Sequence, residues 1–307
     1  MNYDNSFEVK EKRRVAFTSV TAAVVLTLFK LIVGISTNSL GILSEAAHSG
    51  LDLVAAFVTF LAVKASGKPA DEEHHFGHGK VESISALFET FLLLITCIWI
   101  IKEVINRLLG GNIEIEVTIW SFIVVITSIA IDISRTIALK KVAKKYNSQA
   151  LEADAAHFST DILSSFVVLI GLISYNYGFH YADSIAALIV SMIVIYISFR
   201  LGRTSINTLL DRAPEGMKDR ISLIISQIPE VFKVHDIKVR NSGGETLVEL
   251  KIHVSPGLNI EKAHQISHEV ESRICNEIEK CEVLIHVEPE DYEIPGMDDR
   301  MKSTDEY

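Results

Sequence analysis

Residues 44–52 read SEAAHSGLD and residues 153–161 read ADAAHFSTD, so that one pattern occurs twice in the chain. Aligned on their histidines, both segments have an acid, two alanines, the histidine and, four positions later, an aspartate. Residues four apart lie on the same face of an α-helix, one turn from each other. Each segment therefore predicts a helix that presents an imidazole and a carboxylate side by side.

Both segments lie within long apolar stretches. The chain of 307 residues is 49% hydrophobic, with a mean hydropathy of +0.30, and most of its apolar content precedes residue 211. Stretches of about 20 apolar residues are long enough to cross a bilayer as helices. The sequence predicts an α-helical membrane protein with six such spans, at roughly 15–36, 40–65, 82–108, 115–138, 153–177 and 181–205.

The repeated pattern predicts a metal site inside the membrane. Charged side chains in a membrane span normally face a partner, a cavity or an ion path, and two imidazoles with two carboxylates match a four-coordinate zinc site. Mixed nitrogen and oxygen donors favour Zn(II) and its neighbours over Mn(II) and Mg(II). A hydrogen-bonded network that orders the bundle is the alternative. We call the predicted ligands the membrane quartet: His48, Asp52, His157 and Asp161.

Three further charged residues lie within the predicted spans. Glu45 and Asp154 lie one turn from the quartet histidines and are expected to attract cations rather than to bind them. Lys30 lies near the far end of the first span, so its ammonium group is expected to extend to the membrane surface.

The distribution of basic residues predicts an orientation. The N-terminal segment and the connections after spans two, four and six are basic, whereas those after spans one, three and five contain no lysine or arginine. The positive-inside rule then places both termini in the cytosol. Spans two and five run in opposite directions, as in an inverted-repeat transporter with its site near the midplane.

The composition after span six is typical of a small soluble domain. Its elements are predicted in the order αββαβ, with a hairpin turn at residues 241–244, which indicates a ferredoxin-like α+β fold. The three cysteines suggest no disulfide framework, and Cys97 is expected to pack inside a helix. The predicted organisation is a cytosolic tail (1–14), a six-helix membrane domain (15–210), a cytosolic metal-binding domain (211–292) and a disordered tail (293–307).

Two further groups of histidines stand outside the membrane spans. Residues 71–80 read DEEHHFGHGK, a pattern that fits either a solvated charged loop or a surface metal site. The soluble domain has five histidines and an acid that favour metal binding in the cytosol: His235, His253, His264, His268, His286 and Glu288. Lys80 and Asp211, at the junction of the two domains, are expected to form an ion pair.

Together these motifs resemble the cation diffusion facilitator family over nearly the whole chain. The resemblance is carried by Asn38-Ser-Leu, by the two His-x-x-x-Asp pairs, by residues 76–80 (FGHGK), by residues 210–214 (LDRAP) and by the histidine-bearing αββαβ domain. It implies a homodimer that exports a divalent metal from the cytosol in exchange for protons, with the quartet as the transport site. With histidine at the first position of both pairs, the chain resembles the zinc and cadmium carriers of the family.

The resemblance also implies two further metal sites. Asp71, His74 and His78 would form a loop site, and a binuclear cytosolic site would use His235, His253, His264 and His286 with Glu288 as the bridging carboxylate. Relatives often have aspartate at that last position, which is a departure in this chain. The family implies no role for His75 or His268.

The expected function is a multi-pass zinc/proton antiporter of the cell (inner) membrane, with Zn²⁺ as substrate and regulatory ligand and no organic cofactor. A broader carrier of Cd, Co, Fe or Ni is the nearest alternative. A metal sensor that does not transport, or an intramembrane zinc hydrolase, are the other candidates. An enzyme is not expected because no HExxH pattern or extra acid supplies a general base. The formal net charge of −10, without any dense basic stripe, argues against a nucleic-acid partner.

Overall fold

The structure is a computed structural model that describes residues 2–108, 119–176, 182–278 and 280–290. The chain divides into two compact units, Met1–Leu210 and Asp211–Tyr307. The first unit is helical and the second combines helices with a sheet, so the predicted fold class is confirmed. The predicted disordered tail after residue 292 lies outside the described residues.

In the described residues of the first unit there are six long helices, one for each predicted span. They are α1 (Asn2–Thr37), α2 (Leu40–Ser66), α3 (Val81–Leu108), α4 (Ile119–Tyr146), α5 (Gln149–Asn176) and α6 (Ala182–Leu209). Within the described residues, five of them are long and apolar enough to cross a membrane, namely α1, α2, α3, α4 and α6. The other helix, α5, carries three acids in its first half, Glu152, Asp154 and Asp161.

A tight turn joins α1 to α2. Asn38 adopts a positive φ of 52°, and the side chain of Ser39 accepts a hydrogen bond from the backbone N–H of Ile42, which caps α2. The helices approach closely here, because a Cβ atom at Gly34 would lie 2.9 Å from Leu43 Cδ2. Glycine at position 34 therefore lets the first two helices form a hairpin.

The helices pack mainly in pairs, α1 with α2, α3 with α6 and α4 with α5. One apolar core of the unit lies among α1, α2, α4 and α5 and includes Val63, Leu139, Leu151 and Phe158. Large apolar side chains such as Ile98 and Phe199 point outward, as expected for surfaces that face lipid. α2 and α5 also contact each other, which brings the two repeated segments together.

Two buried lysines join the helices. Lys30 is only 4% exposed, and its Nζ lies 2.8 Å from Ser49 Oγ and 3.2 Å from Glu45 Oε2. The prediction that Lys30 extends to the membrane surface is therefore wrong, because its ammonium group turns inward to partners on α2. Near the start of α1, which begins at Asn2, Lys12 Nζ lies 2.8 Å from Glu82 Oε1 on α3.

The second unit has the predicted αββαβ order. Its elements are α7 (Met217–Ile225), β1 (Lys233–Ser242), β2 (Glu245–Val254), α8 (Ile260–Glu277) and β3 (Cys281–Pro289). The sheet has the order β1-β2-β3, with β1 antiparallel and β3 parallel to β2. Alternate residues of β2, such as Ile252, pack against α7 and α8, which leaves His253 on the opposite face.

A bulge interrupts β1. His235 pairs with Lys251 and Lys238 pairs with Glu249, so β1 has one residue more than β2 over this interval. Asp236 lies at the bulge with a positive φ of 54°. Val234, Ile237 and Val239 all pack on the core even though their spacing departs from strict alternation, because the bulge absorbs the extra residue.

The cysteines differ from the sequence-based expectation. Cys275 at the end of α8 and Cys281 at the start of β3 form a disulfide, so the prediction of no disulfide framework is wrong. The two residues are six positions apart, and their Cα atoms lie 5.3 Å from each other. Cys97 is a buried free thiol in α3, as predicted.

Candidate metal sites

The structure brings the membrane quartet together between α2 and α5. His157 Nε2 lies 3.1 Å from Asp52 Oδ1 and 3.7 Å from Asp161 Oδ2. His48 Nε2 lies 3.7 Å from Asp161 Oδ1 and 3.9 Å from Asp52 Oδ1. Each imidazole thus faces a carboxylate of its own helix and one of the other helix.

The spacing of these donor atoms fits a zinc-like ion. Zinc–ligand bonds of about 2.0–2.1 Å in a tetrahedral arrangement separate neighbouring donors by about 3.3 Å. The four distances, from 3.1 to 3.9 Å, lie close to that value, with His48 and His157 facing different oxygens of Asp161. With one donor atom from each residue, His48, Asp52 and Asp161 lie within 4.8 Å of one another, and His157 lies against Asp52. Asp161 Oδ2 is buried and has no hydrogen-bond partner among the described residues, which leaves a lone pair for a cation.

Charged residues that the sequence-based reading missed surround the quartet. Glu89 on α3 is fully buried, and its Oε2 lies 3.6 Å from His157 Nδ1. On α4, Arg135 pairs with Asp132 and stacks 3.5 Å from the ring centroid of Phe158. An acid or arginine within an apolar helix is itself a signal of function or pairing, so these three residues could have been found.

The two acids predicted to attract cations have partners. Glu45 lies beside the Lys30 ammonium group, and Asp154 accepts a hydrogen bond of 3.1 Å from Ser19. Asp154 is fully buried, whereas the side chain of Glu45 remains 51% exposed. Of these two acids, Glu45 is therefore the more exposed.

The loop between α2 and α3 gathers three candidate ligands, which we call the loop triad: Asp71, His74 and His78. Asp71 Oδ1 lies 3.3 Å from His74 Nδ1, and Asp71 Oδ2 lies 3.4 Å from His78 Nε2. The backbone N–H of His74, followed by that of Glu73, holds the pKa of Asp71 below its ordinary value. His75 lies apart from the triad and contacts the carbonyl of Glu72. The loop can thus offer one carboxylate and two imidazoles to a cation.

A second group of donors lies on the outer face of the sheet, and we call it the sheet cluster: His235, His253, His286 and Glu288. Glu288 Oε2 lies 3.3 Å from the Nε2 atoms of both His235 and His253, and Glu288 Oε1 lies 3.4 Å from His286 Nε2. The two carboxylate oxygens thus face different histidines, which is the geometry required of a bridging ligand.

Neighbouring charges also contact the sheet cluster. Lys251 Nζ lies 2.9 Å from Asp236 Oδ2 and 3.8 Å from Glu288 Oε1. The hydrogen bond from Lys251 holds the pKa of Asp236 below its ordinary value, and the same contact raises the pKa of Lys251. Asp236 therefore stays ionised beside His235 Nδ1, at 3.8 Å.

The remaining predicted residues lie outside these groups. His264 is exposed on α8, where its ring packs 4.8 Å from that of His268, and His268 pairs with Glu271. Lys80 Nζ lies 3.5 Å from the carbonyl of Leu209, and Asp211 pairs with Arg240 at 3.5 Å. The ion pair between Lys80 and Asp211 stays a prediction.

Comparison with known proteins covers nearly the whole chain. The model of the cation efflux transmembrane domain matches residues 16–210, and that of the cytoplasmic domain of cation efflux proteins matches residues 213–290. The cation-efflux pump FieF of Cronobacter sakazakii is 30% identical over 290 residues, which are 94% of this chain and 95% of that protein. An uncharacterised transporter of Methanocaldococcus jannaschii is 33% identical over 267 residues, 87% of this chain and 94% of its own.

Solved structures match the second unit. The metal-bound C-terminal domain of the CzcD transporter from Thermotoga maritima is 26% identical, with a TM-score of 0.24, over 25% of this chain and 90% of that domain. The cytosolic domain of a cation diffusion facilitator family protein is also 26% identical, with a TM-score of 0.24, over 25% of this chain and 92% of its own. The two family models account for both units, and the chain belongs to the cation diffusion facilitator family of membrane cation efflux transporters.

Proposed function

We propose that this transporter exports Zn²⁺ from the cytosol in exchange for protons and that the membrane quartet binds the transported ion. The observation that carries the proposal is the convergence of two imidazole and two carboxylate donors from α2 and α5 at distances of 3.1 to 3.9 Å. Nitrogen and oxygen donors in equal number favour zinc over the hard cations Mg²⁺ and Mn²⁺.

Exchange with protons follows from the chemistry of the same donors. Only a neutral imidazole and an ionised carboxylate bind a metal, so protons and Zn²⁺ compete for one set of atoms. A conformation that opens the site to the cytosol would load the ion. A conformation that opens it to the other side would let protons replace the ion there.

The distribution of basic residues supports the direction of transport. With both termini and the connections after α2 and α4 in the cytosol, the loop triad and the second unit face the compartment from which the ion is taken. The occupancy of the loop triad and of the second unit by Zn²⁺ would then depend on the Zn²⁺ concentration in the cytosol. We propose that it acts there as a regulatory ligand.

We further propose a homodimer in which metal at the sheet cluster stabilises the association of the second units. The match of the second unit to the cytoplasmic-domain model of the family supports this arrangement. The bridging position of Glu288 supports binding of two ions, because its oxygens face different histidines.

Transport across a pH gradient tests the function. Purified protein in liposomes should take up Zn²⁺ and move protons in the opposite direction, and alanine at any quartet position should abolish both fluxes. Metal movement without a matching proton flux would disprove antiport. Equal competition by Cd²⁺, Co²⁺, Fe²⁺ and Ni²⁺ would show a broader carrier, which the two oxygen donors of the site would accommodate. Binding without any flux would show a sensor.

A further inference from the structure

The imidazole of His157 is held from two sides. Its Nε2 atom faces the quartet, 3.1 Å from Asp52 Oδ1, and its Nδ1 atom faces Glu89 Oε2 at 3.6 Å. Both Nδ1 and Glu89 Oε2 are buried and have no hydrogen-bond partner within the part of the chain that the structure describes. Burying a polar atom without a hydrogen-bond partner is costly. These two atoms face each other, so they can act as the donor and the acceptor of one hydrogen bond.

Glu89 is placed by its own surroundings. It belongs to α3, which contributes no quartet residue, and its side chain is fully buried. Its other oxygen, Oε1, accepts a hydrogen bond of 2.9 Å from Thr59 on α2. The carboxyl group thus has one oxygen fixed by α2 while the other points at the ring of His157 on α5.

The ring geometry requires such a partner. A neutral imidazole has one protonated nitrogen and one free lone pair, and a metal binds only through the lone pair. A carboxylate that accepts the proton of the remote nitrogen fixes both the tautomer and the orientation of a metal-binding histidine. Without it, the ring of His157 can place its proton on Nε2 and turn its lone pair away from the ion.

We propose that Glu89 is the positioning residue of the transport site: it accepts a hydrogen bond from His157 Nδ1 and thereby directs the Nε2 lone pair at the transported ion. The inference rests on the proposed function, because it takes His157 as a ligand. It assigns to α3 a direct role in metal affinity.

Four variants separate positioning from mere burial of a polar group. Glu89→Gln keeps an acceptor oxygen for Nδ1, while its amide group can donate to Thr59 Oγ. Glu89→Asp keeps the carboxyl group but withdraws it by one methylene, and Glu89→Ala removes it. Thr59→Val is the matched control, because it removes the other partner of Glu89 and leaves the His157 side untouched.

Initial rates of Zn²⁺ uptake into liposomes give KM and Vmax. Equilibrium Zn²⁺ binding, which gives Kd, is measured in protein that also carries Asp71→Ala and His253→Ala, because these substitutions remove the loop triad and the sheet cluster as competing sites. Loss of a carboxylate behind a metal-binding histidine lowers affinity about 10–100-fold. We expect that rise in KM and Kd for Glu89→Ala and Glu89→Asp, with Vmax little changed. Glu89→Gln and Thr59→Val should stay within about threefold of the native KM.

The KM values of the variants, compared with one another, decide whether Glu89 is a positioning residue. An aspartate variant with native KM, or a glutamine variant as weak as alanine, would overturn the positioning role. A fall in Vmax at constant KM in folded Glu89→Asp would show a structural role instead. His157→Ala tests the underlying site independently: if it retains native KM, the proposed transport site is wrong, whereas if it abolishes uptake and Glu89→Asp does not alter KM, only the inference about Glu89 fails.

Discussion

His157 Nε2 lies 3.1 Å from Asp52 Oδ1, although 105 positions of the chain separate the two residues. The contact joins α5 to α2, so neither helix alone supplies a complete site. Any movement that separates these two helices by more than a metal ion can bridge would dismantle the proposed transport site.

Asp161→Ala should abolish Zn²⁺ transport while the protein stays folded. Asp161 Oδ1 faces His48 and Oδ2 faces His157, so one substitution removes the carboxylate that both imidazoles face. Initial Zn²⁺ flux in liposomes measures the effect, and the elution volume on size exclusion checks the fold. Flux near the native rate in this variant would contradict the assignment of the transport site.

His48→Asp should broaden selectivity towards Fe(II) and other ions that accept oxygen ligands. The substitution replaces one of two nitrogen donors by a carboxylate, which changes the donor set from equal nitrogen and oxygen to mostly oxygen. A competition assay with Zn²⁺ as the tracer and Fe²⁺, Mn²⁺ or Cd²⁺ as competitors measures the change. An unaltered order of competition would show that this position does not set the ion preference.

His253→Ala combined with His286→Ala should weaken metal-dependent dimer tightening and spare basal transport. These histidines face opposite oxygens of Glu288, so their loss removes ligands on both sides of the carboxylate. The metal dependence of the distance between labels on the two protomers measures tightening. His268→Ala is the control, since His268 lies on α8 and pairs with Glu271. Complete loss of transport in the double variant would refute a purely regulatory role.

Glu82→Ala should destabilise the helical unit by about 3 kcal/mol, because it leaves the buried Lys12 ammonium group without its nearest carboxylate. Ser66 and Ser148 also donate to Glu82, so the change removes acceptors for α2 and for the start of α5 as well.

Thermal unfolding in detergent measures the loss of stability in Glu82→Ala. Lys145→Ala serves as the comparison, because its pair with Glu11 is also short, 2.7 Å, but lies at the surface, where such pairs contribute less than about 1 kcal/mol. Equal effects of the two substitutions would show that burial does not strengthen the Lys12–Glu82 contact.

Hydropathy and local patterns predicted the elements well. The six long helices and the αββαβ order need only segment length, periodicity and turn residues, and the structure confirms them, with five of the helices apolar enough to cross a membrane. The grouping of His48 with Asp52 and of His157 with Asp161 needed only helical spacing. These features are local, and local sequence determines them.

Contacts that depend on how one helix is rotated against another could not be predicted. Lys30 was expected at the membrane surface because its distance from the end of the span allows that conformation, but the rotation of α1 against α2 brings it to Ser49. Glu89 is recognisable as an acid within an apolar helix, but nothing in its own helix indicates His157 as its neighbour. The Cys275–Cys281 disulfide depends on the turn between α8 and β3.

The bulge in β1 affects the surroundings of His235 but is not needed for the hydrophobic core of the second unit. Deleting Asp236 would restore regular alternation and keep both Val234 and Val239 inside, so the hydrophobic core would survive the shortened strand. The same deletion would straighten the strand beside His235 and remove the carboxylate next to its Nδ1 atom. A single-residue deletion would thus yield a domain with an intact core and a disrupted proposed metal site.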